Sequence, residues 1–317
     1  LLYRFVELQS LLIEGRIHAA EQGYAELAPK FITPAMLAEL GPGQSRGMYG
    51  GVIYGHAVVQ CLHFGQRALE LTAEMDSLGI HTWSAAAAHV RMLYHAARGE
   101  SEEMARCREA VESFALQGES TWQTDMFLPA ILLDTFLLCG DMVATRRTAE
   151  QLTRRAEQVP SLTRHAQLAQ AGYLALRGDL TGALAHFERL LPSFPPYRGL
   201  HWFAMRGHYA AALNRAGQHA RAKQLLSASL AQLAPEEHSM VVLYLEPQRQ
   251  LALAEAGLGE YASACQRLDT LLQRHGHEDN HLLLGLLHKA RAEVALDMQD
   301  AATALIHVER VEHHFRA

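Results

Sequence analysis

The sequence has no cysteine pair at metal or disulfide spacing, no phosphate loop, no apolar run long enough for a bilayer, and no surplus of positive charge. Each absence removes a class of function. Its four cysteines, Cys61, Cys107, Cys139 and Cys265, are far apart with no C-x-x-C, which argues against a zinc site or a disulfide framework and for reduced, buried thiols in a cytoplasmic protein. Lys+Arg 28 against Asp+Glu 34, a net charge of -6, gives no electrostatic footprint for nucleic acid. The longest apolar stretch, Met126 to Cys139, is too short for a membrane helix and carries Pro129 and Asp134. Neither G-x-x-x-x-G-K-[ST], nor a dinucleotide fingerprint, nor a kinase signature, nor His-Glu-x-x-His occurs. The expectation is a segment without catalytic residues, cofactor or metal. The chain opens on Leu1 directly into a helical pattern, which reads as a piece of a longer multidomain protein.

What is present is a ruler. A glycine followed by a polar or charged residue separates apolar-periodic stretches at Gly15-Arg16, Gly65-Gln66, Gly99-Glu100, Gly140-Asp141, Gly178-Asp179, Gly217-Gln218 and Gly259-Glu260, with Gln299-Asp300 in the eighth place. The separations are 50, 34, 41, 38, 39, 42 and 40 residues, close to the period of a two-helix unit. Each glycine falls where a helix must stop and the chain reverse, which calls for a left-handed backbone. An acidic residue after it suits the positive start of the next helix. Between the markers apolar residues recur three and four apart, and strand alternation is nowhere sustained.

A second register runs in phase with the first. Ala171 and Ala183, Ala210 and Ala222, Ala252 and Ala264, and Ala292 and Ala304 flank the last four turns at a constant spacing of twelve. Small residues at facing positions let the two helices of a hairpin approach closely. The implied fold is all-α, about eight antiparallel helix pairs over residues 1–317 as one array.

These residues resemble the tetratricopeptide repeat family. Gly178-Asp179-Leu180, Ala183, Phe187, Leu190-Leu191 and Pro195 are similar to that family's Gly-Asp-Tyr turn, second-helix alanine, aromatic, apolar pair and terminal proline, and Gly259-Glu260-Tyr261 with Ala264 and Gly217 with Ala222 and Pro235 follow suit. Most repeats exceed the family's usual period, and the units around Gly99 and Gly140 lack both alanines. That longer, degenerate form is more like the arrays fused to bacterial signalling ATPases, adenylyl cyclases, Ser/Thr kinases and transcription activators of the maltose-regulon type. The resemblance implies a right-handed superhelical solenoid whose first helices line a concave surface. It also implies a non-catalytic interaction or sensor scaffold, with a protein or peptide partner, a linked domain of the same chain included. By register from each turn, His56, His63, Asp134, His208, Arg215, Arg249 and Gln250 become groove-lining polar groups. A small-molecule effector receptor is the alternative.

Residues 31–51 interrupt the ruler. Thr33-Pro34 announces a short helix, and five glycines in the next stretch, Gly41 to Gly51, read as a mobile loop inserted at about 40–51. Within it Gly43-Gln44-Ser45-Arg46-Gly47 matches the G-x-S-x-G elbow of serine hydrolases, a remote alternative because no strand precedes it. Histidines number 19 and form pairs seven apart, His56/His63, His201/His208 and His281/His288. Such pairs share a helix face but stand about 10 Å apart, too far to grip one ion without a third element. Arg146, Arg147, Arg154 and Arg155 read as a solvated face paired with Glu150 and Glu157. Trp83, Trp122 and Trp202 fall near the starts of first helices, as core or as exposed anchors, and Pro129 and Pro247 mark first turns or kinks.

Overall fold

The computed structural model describes residues 2–13, 16–62, 65–117, 132–193, 200–232, 241–277 and 279–316. Among them every regular element is helical. The helices are α1 (Leu2–Ile13), α2 (Ile17–Leu27), α3 (Pro34–Leu40), α4 (Pro42–Leu62), α5 (Arg67–Ser77), α6 (His81–Arg98), α7 (Ser101–Leu116), α8 (132–139) and α9 (Met142–Ala156). They continue as α10 (Thr163–Arg177), α11 (Leu180–Leu190), α12 (Leu200–Arg215), α13 (His219–Leu230), α14 (Val241–Gly257), α15 (Tyr261–His275), α16 (His281–Asp297) and α17 (Ala301–Arg316). They pack sequentially in adjacent pairs, the arrangement of a helical repeat array.

One turn design closes these pairs. The amide after the marker donates to the carbonyl five residues back in seven places: Arg16 to Leu11, Glu100 to His95, Asp141 to Phe136, Asp179 to Leu174, Gln218 to Leu213, Glu260 to Glu255 and Asp300 to Ala295. This six-to-one bond satisfies a helix-terminal carbonyl and needs a left-handed residue before the donor. Gly99, Gly140, Gly178, Gly217 and Gly259 supply it, and Gln299, with φ 61°, is the positive-φ residue other than glycine found among the described residues. The Gly65 turn departs from the ruler: its own amide bonds to Gln60, one residue out of phase.

The marker's second residue works differently by length. Asp141, Asp179 and Asp300 cap their own helices, accepting from the amides of Ala144, Gly182 and Thr303. Glu100 and Glu260 make no such cap. One methylene longer, Glu100 reaches back to His95 and Arg98, and Glu260 reaches Lys223 of the preceding pair.

The chain divides into two compact units, one mainly Leu1–Leu132 and the other Leu133–Pro196, His201–Leu233 and Leu243–Ala317. In the second, all eight register alanines are buried. On the second helices the positions five, nine and twelve beyond the turn carry the core, as in Ala183, Phe187 and Leu190 or Ala264, Leu268 and Leu271. Pro247 lies inside α14, past its first turn, against Gly207 of α12.

In the first unit α4 packs on α2, α5 and α6. Here the structure corrects the sequence reading: the glycine-rich segment is not a loop but the first half of a 21-residue helix. The break is one residue, Gly41 at φ 76° ending α3, followed by Pro42 at the first position of α4. The glycines beyond it serve close packing. A side chain at Gly50 would strike the Trp83 indole of α6, and one at Gly55 would lie 2.6 Å from the Tyr24 ring of α2. Thr33 caps α3 as its sequence announced, accepting from Met36.

The cysteine reading needs the same correction. All four thiols are free, but only Cys61 is buried; Cys107 and Cys265 are partly exposed and Cys139, at the end of α8, is exposed. No helix of the described residues is long and apolar enough to cross a membrane.

Candidate functional site

Of the polar residues assigned to the first helices, Asp134, His208, Arg249 and Gln250 lie buried or half-buried within the second unit, and Arg215 stands exposed at the end of α12. Asp134 of α8 and His208 of α12 are both buried, with His208 Nε2 3.2 Å from the Asp134 carboxylate. On α14, Arg249 grips Glu246 with two nitrogens at 2.8 and 2.9 Å, and Gln250 donates to the same carboxylate at 2.9 Å. Asn214 of α12 then donates to the carbonyl and side-chain oxygens of Gln250 at 2.8 and 3.0 Å. Arg215 of α12 donates to the Ala175 carbonyl near the end of α10 at 2.7 Å.

The result is a seam of charged and amide groups joining first helices to one another. Glu246 is 6% and Arg249 11% exposed, so the pair is held at low dielectric, where removing one partner would strand the other charge. Sequence register placed Asp134, His208, Arg215, Arg249 and Gln250 on the same run of helices. It missed Glu246 and Asn214, the acceptor and donor that link them. Their signal was their position on α12 and α14, within one turn of groups already chosen.

The first unit treats its candidates otherwise. His56 of α4 is buried, and that burial, helped by the Arg67 charge, pushes its pKa below the ordinary histidine value. His63, Trp122 and Pro129 lie outside the described residues. Ser45 sits within α4, fully buried, its hydroxyl donating to the Phe31 carbonyl, so the G-x-S-x-G residues do not form a strand-to-helix elbow. Trp202 is buried on α12 with the Arg206 guanidinium 4.0 Å above its ring, and Trp83 fills the space left by Gly50 and Gly51. Arg146 pairs with Glu150 at 2.9 Å as its spacing required.

No family model matches the chain, and no curated protein matches it.

Proposed function

We propose that this chain is a tetratricopeptide-like solenoid and serves as a non-catalytic interaction or sensor scaffold for a linked signalling or transcription domain. The observation that carries the reading is the single turn design repeated in seven places with buried positions at fixed distances from it. A chain that commits the same few positions of each pair to stacking leaves the remaining faces open to vary with a partner. Resemblance to arrays fused to signalling proteins suggests the partner class: a protein or peptide, with an intramolecular domain included. No nucleic acid or membrane is part of the proposal.

The test is binding by the whole chain and by Arg215→Glu, which reverses an exposed charge at the end of α12. Saturable association with the flanking domain of its parent, weakened by the substitution, supports the scaffold. Absence of association, with parent regulation unchanged when the array is excised, replaces it with a spacer.

A second reading, an effector receptor, is favoured by the buried Glu246–Arg249 pair and the Asp134–His208 pair, groups for which a small charged ligand could compete. Thermal-shift screening separates the two, because a ligand at a hundred times its dissociation constant adds about 2.7 kcal/mol of stability.

A further inference from the structure

Where a first helix meets the second helix before it, the same positions recur. Counted back from the turn marker, the residues twelve, nine and five before it are buried: Ala87, Val90 and Tyr94 on α6, Met205, His208 and Ala212 on α12, and Leu287, Ala290 and Val294 on α16. The residue eight before the marker donates to an acid on the preceding second helix. Arg91 reaches Asp76 of α5, Tyr209 reaches Glu188 of α11 at 3.4 Å, and Arg291 reaches Asp269 of α15 at 3.0 Å.

The second helix supplies the other half of this junction. On α15, Tyr261, Cys265, Leu268, Leu272 and His275 form a stripe spaced three and four apart, and none of them is exposed. Met298, in the turn after α16, lies with its sulfur 3.8 Å from that of Cys265. The same positions on α17 are Ala301, Leu305, Val308, Glu312 and Phe315, and all five are exposed, Leu305 by 60% and Phe315 by 50%. Glu309 takes the place of Asp269 and has no donor among the described residues. A face of a repeat array that meets water is polar. This one carries the apolar stripe of a junction and its acid, without the helix that covers both.

The junctions within the chain define what fits. A helix seated on α17 as α16 is seated on α15 has apolar residues at i, i+3 and i+7 and a donor at i+4. Helix α1 of a second copy does not meet this description: Tyr3 and Val6 are exposed at the right spacing, but Glu7 occupies the donor's position and would oppose Glu309.

We propose that the outer face of α17 binds a basic amphipathic helix of a partner protein, whose apolar residues at i, i+3 and i+7 lie on Leu305, Val308 and Phe315 and whose arginine or lysine at i+4 pairs with Glu309. The proposal rests on the scaffold reading above and gives it a surface and a class of partner.

The probe is a fluorescein-labelled synthetic peptide of residues 81–98, the α6 sequence, which carries the pattern as Ala87, Val90, Arg91 and Tyr94. Titrated with the whole chain and followed by fluorescence anisotropy, it should bind saturably, one peptide per chain. Leu305→Asp and Glu309→Lys should each weaken binding at least about tenfold. A peptide carrying Arg91→Glu should not bind the parent chain and should recover binding on Glu309→Lys, while Glu102→Lys on α7 changes nothing. Leu305 and Glu309 are exposed, so far-UV circular dichroism of both variants should superimpose on the parent. Equal binding of the two peptides, or no binding at submillimolar chain, overturns the proposal. A dimer in sedimentation that Leu305→Asp dissociates also overturns it, in favour of a second copy. Should the peptide fail while the chain still binds its parent's flanking domain and Arg215→Glu weakens that binding, the α17 site falls and the scaffold stands.

Discussion

The two units differ in whether the contacts that keep their helices close recur in register. In the second, spacing is set by alanine repeated in register, Ala171 with Ala183, Ala210 with Ala222, Ala252 with Ala264 and Ala292 with Ala304, all buried. In the first, the close contacts are glycine against an aromatic ring, Gly50 and Gly51 against Trp83 and Gly55 against Tyr24, a fit that the second unit adds to its register where Gly285 meets Phe315. A methyl against a methyl can be copied from pair to pair. A ring lying in a notch is an individual fit and has no period. The comparison explains why one unit reads as a repeat and the other does not, and it says where each should fail.

Acid should weaken the first unit through one buried histidine. His89 on α6 is deeply buried, its Nε2 makes no hydrogen bond, and burial lowers its pKa to about 4. Its unfolded form titrates near 6.5, so between these values the unfolded state holds more protons and stability falls as pH drops. The contribution is fully present above about pH 6.5, and about 3 kcal/mol of it is lost on acidification toward pH 4. Urea unfolding across that window, followed by Trp83, should show the loss, and His89→Gln should flatten the slope. A parent and variant with parallel pH profiles would refute it.

Next in size is the glycine contrast. Gly50→Ala should cost about 2 kcal/mol, because the new methyl meets a packed indole. Gly172→Ala on α10 meets only the branched end of Leu137, a flexible neighbour, and gains about 0.5–1 kcal/mol of helix preference, so its net change should be near zero. Equal midpoints in urea for the two variants would break the comparison.

Much of this was legible beforehand, for a physical reason. A left-handed turn admits few residues, so Gly178 or Gly259 leaves a mark in the sequence wherever the chain reverses. A buried alanine such as Ala210 is equally constrained by the helix opposite it. Glycine is ambiguous in a way alanine is not, since Gly50 and Gly55 look the same in sequence whether they free a loop or admit a ring. That ambiguity hid α4. The polar seam was half visible: register placed Arg249 and Gln250 on the right helix, but nothing in the sequence says that Glu246 turns inward to meet them. The meeting of His288 with His307 across the Gln299 turn was likewise unmarked, because a spacing of seven on one helix does not say which ring faces it.

Gln299 tests the turn itself. A side chain in the left-handed region costs about 1 kcal/mol, so Gln299→Gly should raise stability by up to about that amount, while Gly178→Ala, at φ 91°, should lower it by at least as much. Thermal melts of the two single variants should move in opposite directions. The caps give the smallest effect. Asp179→Ala should cost about 1 kcal/mol through loss of the bond to Gly182, and Glu260→Ala, which breaks only a surface pair with Lys223, a few tenths.

One turn, repeated, closes helix pairs along this chain. Amide hydrogen exchange resolved by residue tests it most directly. The amides of Arg16, Glu100, Asp141, Asp179, Gln218, Glu260 and Asp300 should be protected together, with Gly65 rather than Gln66 protected at the displaced turn. Exchange at those seven amides as fast as in an unstructured peptide would contradict the account.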